Sequence, residues 1–331
     1  MTFRRYLTAL LVIILFFAAA AAGIFTAQFL TVSFEDRPNS ANSVIDERET
    51  GLFAPKTPYN VLLMGTDAEG GLTDVMMVYH VDPQLGKVKL LSIPRDTHIL
   101  YNGRTEKINA AHSYGRMQKT EGGGDRGDEY AIRAVKELTG MPIHHYVCIN
   151  FAAFRQIIDA IGGFDYDVPQ RMYYNDPWQD LHIDLQKGFQ HLDGDKAEQL
   201  VRFRRYPNGD IDRVAVQQDV LKALIKQKAN PATLAKVREI YDIVQENIDT
   251  DMSISQAIGI AKNIYDATNN GDEEDEDSSG VETFTVPGGF RDINELSYWE
   301  PNLTETKKLV AEEFGYGDTL NSSNAKVSTN K

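Results

Sequence analysis

Between Tyr6 and Phe34 the chain carries no charged residue, and most positions are Leu, Ile, Val, Phe or Ala. As one tilted helix that run is long enough to cross a hydrocarbon core of roughly 30 Å. Arg4 and Arg5 precede it and Glu35 and Asp36 follow it, which predicts a cytoplasmic N-terminus and an exported remainder. Small residues from Ala18 to Gly23 also permit a cleaved secretory signal, but the apolar run is longer than a signal core and continues past that point. The expected location is therefore the cell membrane, with a single pass and the folded part extracellular. Residues 1–5 are expected in the cytoplasm, 6–34 as the transmembrane anchor and 35–58, rich in Asn, Ser and Pro, as a spacer. A domain over 59–315 and a disordered tail over 316–331 complete the plan.

That domain is long enough for one large core. The chain has a formal net charge of −14, which excludes non-specific nucleic-acid binding, because displacing counterions from phosphates takes a basic surface. An anionic ligand would instead need a local cluster of arginines. Cys148 is the sole cysteine, so no intramolecular disulfide can form; in its apolar setting it reads as a buried small hydrophobe.

Short apolar runs at Tyr59–Gly65, Asp74–Val81 and Lys87–Ile93, each bounded by Gly, Asp or Pro, predict strands buried on both faces. Asp82-Pro83 and Gly86 predict a hairpin between the second and third. Apolar residues at helical spacing in 128–138 end at Gly140 and Pro142, which predicts a helix. A strand at 145–149, a helix over 151–161 capped by Asn150 and closed by Gly162-Gly163, and a strand at 164–168 follow. Helices are expected over 194–203, 212–228, 231–243, 254–267 and 304–314, with a strand at 281–286. Such alternation indicates an α/β domain with helices on both faces of one sheet. The acidic stretch 269–280 lacks the spaced ligands and closing Glu of a calcium loop and reads as a solvated loop.

Four polar stretches sit at the ends of these strands, where the loops of an α/β sheet gather around ligands. In NVLLMGTDAEGGLTDVMMV, Asp67 and Asp74 flank a Gly-rich turn; two such carboxylates suit a hard cation such as Mg²⁺, and equally suit a plain turn. In LLSIPRDTHI, Pro94 ends the strand so that Arg95 and Asp96 project, and a guanidinium there can bind two phosphate oxygens in one plane. Lys107 and His112 lie at the mouth of a helix in TEKINAAHSYG, where His112 is a candidate base or a structural histidine. In EQLVRFRRYPNGDIDRVAVQQ, Arg202 and Arg204 share a face if the chain is extended; Arg205 and Arg213 follow, with Asp210 and Asp212 close by.

Taken together, NVLLMGTD, LTDVMMVYHVDP, KVKLLSIPRDTHI, KINAAHSYG, FRQIIDAIGGFDYDVP, LQKGFQHLDGDKAEQLVRFRR and GDIDRVAVQQ resemble the LytR-CpsA-Psr family of bacterial cell-wall glycopolymer ligases. The likeness runs from about Tyr59 to Lys228, with weaker traces at TFTVPGG and near Tyr298. It implies a mixed central sheet sandwiched between helix layers, with a hydrophobic pocket for a polyisoprenyl tail. The activity implied is transfer of a phosphate-linked glycopolymer, teichoic acid or capsule-like, from a polyisoprenyl pyrophosphate carrier to peptidoglycan, with Mg²⁺ or Mn²⁺ as cofactor.

By the same resemblance Asp67 and Asp74 match the metal carboxylates, Asp67 either as ligand or as base. Arg95, Arg202, Arg204 and Arg213 match the pyrophosphate-binding arginines, with Lys107 and Arg205 as further substrate contacts. Leu200, Phe203, Val216 and Leu221 are candidates for the tail pocket or for ordinary core. Two departures stand out: many members carry Arg where this chain has Leu72 and Val216, and Arg104, Arg205 or Lys107 are the possible replacements. A lipid-linked glycan-binding regulator without turnover and a polyisoprenyl pyrophosphate hydrolase remain alternatives.

Overall fold

The structure, a computed structural model, describes residues 58–66, 71–82, 87–101, 104–117, 127–177, 181–207, 209–269 and 281–316. The predicted anchor, all of the spacer but its last residue, most of the acidic loop, nearly all of the tail, and Asp67 lie outside the described residues. No helix among those described is long and apolar enough to cross a membrane.

Six strands form the central sheet: β1 (Tyr59–Thr66), β2 (Thr73–Asp82), β3 (Lys87–Ser92), β6 (His145–Asn150), β11 (Ile248–Thr250) and β12 (Val281–Thr285). Their order is β11-β6-β1-β2-β3-β12. The sheet is mixed, since β1 runs antiparallel to β2 and parallel to β6, while β3 runs antiparallel to β2 and parallel to β12. Pairing of Asp82 with Lys87 makes β2 and β3 the hairpin that their turn residues predict.

Four smaller ribbons surround the sheet. They are β4 (His98–Tyr101) with β5 (Arg104–Lys107), β7 (Phe164–Val168) with β10 (Gly188–Leu192), β8 (Met172–Asp176) with β9 (Leu181–Leu185), and β13 (Gly288–Ile293) with β14 (Leu296–Pro301). Sequence reading found only β7 of these. The others are only four to six residues long, too short for alternation or apolar content to stand out from the neighbouring loops.

The helices are α1 (Ala110–Met117), α2 (Gly127–Thr139), α3 (Phe151–Ala160), α4 (Gly194–Arg202), α5 (Asp210–Lys228), α6 (Pro231–Ala235), α7 (Val237–Val244), α8 (Ile254–Asn269) and α9 (Leu303–Phe314). Asn150 caps α3 by accepting from the Ala153 N–H at 2.9 Å. Gly162 and Gly163 end it with positive φ, and a Cβ on Gly163 would meet the Leu192 carbonyl at 2.5 Å. The single helix expected over 231–243 is two, α6 and α7, broken at Lys236, where the run of helical hydrogen bonds closes into a tighter turn.

Strand alternation divides the core. Leu62, Met64, Met76, Val78 and Leu91 face α2 and α9 and pack with Ile132, Val135, Val310 and Phe314. Val61, Tyr79, Val81, Val88 and Leu90 face the other way, toward Leu221 and Ile225 of α5 and Ile260 and Ile264 of α8. A third cluster ties α3, α4 and α5 to the ribbons β7–β10 through Ile158, Phe164, Leu192, Leu200, Phe203 and Val216. The result is a mixed α/β fold in which a central sheet lies between helices.

Candidate active site

Strands β1, β3, β6 and β12 run in one direction, and the chemistry gathers at the end where they finish. Thr73 and Asp74 open β2 at that same end, so Asp74 stands beside the segment that leaves β3. Pro94 has no N–H to continue a ladder, and the chain turns there. The Thr97 N–H bonds the Pro94 carbonyl at 3.0 Å, and Arg95 and Asp96 project from the turn.

Three guanidiniums meet Asp74. Arg95 Nη1 donates to Oδ1 at 2.7 Å, and Arg204 Nη2 lies 3.2 and 3.1 Å from Oδ1 and Oδ2. Arg213 Nη1 stands 3.9 Å from Oδ1. Behind them Asp210 pairs with Arg213 and lies 3.4 Å from Arg95 Nε, while Asp96 is 3.0 Å from Lys107 Nζ. Among the described residues this brings four cations together with three carboxylates, Asp74, Asp96 and Asp210.

Local structure explains how these residues converge. Gly209, at φ 66°, adopts a conformation that L side chains rarely take, and it turns the chain into α5 with Asp210 as the first helical residue. Asp210 and Asp212 thus complement the positive end of the helix dipole. Arg213 lies one turn further in and is only 2% exposed.

Burial acts to raise the Asp74 pKa, but attraction from Arg204, Arg95 and Arg213 outweighs it and holds the carboxyl below its ordinary range. At Asp210 burial wins and the pKa rises despite Arg213 and Arg95. Burial likewise lowers the Arg213 pKa. Arg95 Nε, Arg213 Nε and Asp210 Oδ2 are buried without a hydrogen-bond partner among the described residues. Buried polar atoms are nearly always satisfied in a native protein, so these orphans make the cluster the candidate ligand site.

Two predicted arginines stand apart. Arg202 is the last helical residue of α4, not an extended one, so it diverges from Arg204. Its Nη1 donates to Glu198 Oε1 one turn back at 2.7 Å, and its guanidinium covers the Phe151 ring at 4.5 Å. Arg205 turns to the Tyr174 ring, 4.9 Å away. His112 is buried and turned to other partners, with Nδ1 3.4 Å from the Gly71 carbonyl and Nε2 4.0 Å from Cys148 Sγ. Cys148 is buried as expected, and that burial pushes its thiol up to about 12.

Beside the cluster lies an apolar cavity of about 180 Å³, walled by Leu63, Val75, Phe151, Val201, Leu221 and Leu224 among others. Of the residues expected to line a tail pocket, Leu221 does. Leu200, Phe203 and Val216 instead pack in the third core cluster, where α4, the segment after it and α5 meet β7–β10. Leu72 is 44% exposed. Lys107 pairs with Asp96 in the cluster, while Arg104 is an exposed residue of β5. Asp210 is the residue that sequence reading underweighted. Its spacing three before Arg213 was the available signal, since that spacing places both on one helix face.

Fold and site together define an α/β protein with a cluster of arginines around a buried carboxylate beside an apolar cavity. The whole sequence places it more narrowly. Residues 29–314 match the model of the LytR_cpsA_psr family, and the chain belongs to that family. It is 29% identical over 297 residues, 85% of this chain and 69% of the relative, to the polyisoprenyl-teichoic acid–peptidoglycan teichoic acid transferase TagV of Bacillus subtilis. It is 30% identical over 231 residues, 68% of this chain and 70% of the relative, to TagU of Bacillus mycoides, which has the same activity name. The crystal structure of B. subtilis TagV superposes with a TM-score of 0.65 at 28% identity, covering 80% of this chain and 98% of that one.

Proposed function

We propose that this chain is a cell-wall glycopolymer transferase that moves a phosphate-linked glycan, of the teichoic acid class, from a polyisoprenyl pyrophosphate to peptidoglycan. The observation that carries this reading is the convergence of Arg95, Arg204 and Arg213 on Asp74 at the rim of an apolar cavity. A pyrophosphate in the cluster would meet preset donors, and the prenyl chain attached to it would enter the cavity. Phosphoryl transfer rests mainly on positioning and on charge stabilisation. Fixed guanidiniums supply both.

In the reaction the acceptor hydroxyl oxygen forms a bond to the glycan-bearing phosphorus. The bond from that phosphorus to the bridging oxygen breaks, and polyisoprenyl phosphate leaves with the electron pair. The hydroxyl proton needs an acceptor. Asp74 is a weak one, because three guanidiniums keep it ionised, which leaves Asp67, one residue beyond β1 in sequence, as the candidate base.

The donor set also suits a divalent cation. Among the described residues no three His, Cys, Asp or Glu side chains form a cage. Mg²⁺ is commonly held by only one or two carboxylates, completed by water and phosphate oxygens. Asp74, with Asp67 as second candidate, would hold Mg²⁺ or Mn²⁺. When bound, such an ion neutralises charge on the pyrophosphate.

An N-terminal anchor over 6–34 with the domain outside the cell would confine enzyme and lipid donor to one surface and raise their effective concentration. The decisive experiment incubates the full chain with a lipid-linked glycan pyrophosphate, Mg²⁺ and peptidoglycan. Glycan on the wall supports transfer; release of free glycan phosphate to water would instead mean a hydrolase, and bound, unchanged lipid a regulator.

A further inference from the structure

A second cavity, of about 440 Å³, opens on the α2 side of the sheet, between α2, β4 and the end of β14. The structure assigns this cavity as the acceptor subsite, which takes a chain of N-acetylated amino sugars bearing carboxylate side groups. The assignment rests on the transfer reaction proposed above and adds where the second substrate sits.

Three observations carry it. The first is connection. His98 lines the cavity and lies three residues after Arg95, so an extended chain places the two no more than about 11 Å apart. The turn between them is pinned to β14, whose end borders the cavity: the Trp299 N–H donates to the Asp96 carbonyl at 2.9 Å and Thr97 bridges to Trp299. Lys107, paired with Asp96, lies over the Tyr298 ring at 5.3 Å.

The second observation is direction. The apolar cavity is walled by α3, α4 and α5, whereas this one borders α2, which packs on the opposite face of the sheet. Attacking and leaving oxygens lie roughly in line in phosphoryl transfer. If the prenyl phosphate leaves toward the α5 side, the hydroxyl must arrive from the α2 side.

The third is chemistry. A sugar presents flat C–H faces and many hydroxyl donors and acceptors, so its site needs both apolar and polar walls. Tyr130 and Leu100 supply apolar surface, and Glu137 and Glu300 supply acceptors. His98 Nδ1 is held by Glu300 Oε2 at 2.9 Å, while its Nε2 is buried with no partner among the described residues. Arg133, on the cavity wall and stacked on Tyr130 at 5.6 Å, offers a cation to a substrate carboxylate.

Leu100→Trp and Arg133→Glu test the assignment, both at exposed positions outside the arginine cluster. With the full chain, the lipid-linked donor and a soluble peptidoglycan tetrasaccharide as acceptor, each should raise the acceptor KM roughly tenfold and leave the donor KM within about twofold. Unchanged acceptor KM in both variants, with the wild type active, overturns the assignment alone. Should the wild type transfer nothing, the transfer reading fails. Calorimetric titration of the tetrasaccharide onto the full chain then decides the cavity independently: binding weakened by Leu100→Trp supports it, and no binding, or binding unaffected by both variants, sinks it.

Discussion

Arg204 reaches across 130 positions of sequence to set one guanidinium nitrogen within 3.2 Å of both carboxylate oxygens of Asp74. Arg204 is 39% exposed, so its loss should leave folding nearly intact while removing an anion donor. Arg204→Ala is expected to lower transfer about 10²-fold with an unchanged melting temperature. Arg204→Lys should recover only part of it, since an ammonium lacks the planar fork. Steady-state transfer rates beside thermal melts check both.

Arg213 differs from Arg204 in being almost wholly buried. Arg213→Ala leaves the Asp210 carboxylate without its nearest partner, and removing one member of a buried pair costs about 3–5 kcal/mol. Arg213→Met combined with Asp210→Asn should recover part of that loss, because neither charge then remains. Denaturant unfolding of both variants and the wild type measures the difference. A double variant no more stable than Arg213→Ala would show that Asp210 is not its partner.

The apolar cavity gives a prediction graded by chain length. Leu221→Trp fills space beside Val220 and Leu224, and each methylene kept out of the protein forfeits about 0.8 kcal/mol. The donor KM should rise for long prenyl chains and stay level for a short one. Parallel kinetics with two donors of different chain length decide this.

Burial of Cys148 makes it inert. With its thiol pushed up to about 12, the folded chain should resist alkylation at pH 8, while the unfolded chain reacts readily. The same shift adds stability that is present below the ordinary thiol pKa and is lost as pH rises toward 12. Timed labelling with an alkylating agent, with and without denaturant, and unfolding midpoints across pH 8–11, measure both effects.

Chelation supplies a fifth prediction. Treatment with a chelator should abolish transfer, and Mg²⁺ or Mn²⁺ should restore it, without altering the melting temperature beyond a small shift, since the arginines already neutralise Asp74. Activity that persists in the chelator would remove the cation from the scheme.

The sequence by itself determined the sheet strands β1, β2, β3, β6 and β12, the ribbon strand β7 and most of the helices. In these segments continuous apolar runs and helical periodicity record burial directly, and caps such as Asn150 record the ends. It also placed Asp74, Arg95, Arg204 and Arg213 among the candidates, the first two because they stand at the ends of apolar strands and the last two because arginines crowd together there in an acidic chain. Only the tertiary structure decided which of them meet. Arg202 and Arg204 stand two apart in the chain, yet one closes a helix onto Glu198 and the other leaves it for Asp74. Leu200, Phe203 and Val216 went to the core and Leu221 to the cavity for the same reason. Local pattern states that a side chain is buried or charged, but its neighbour is chosen by where a helix ends and by the direction in which the next segment departs.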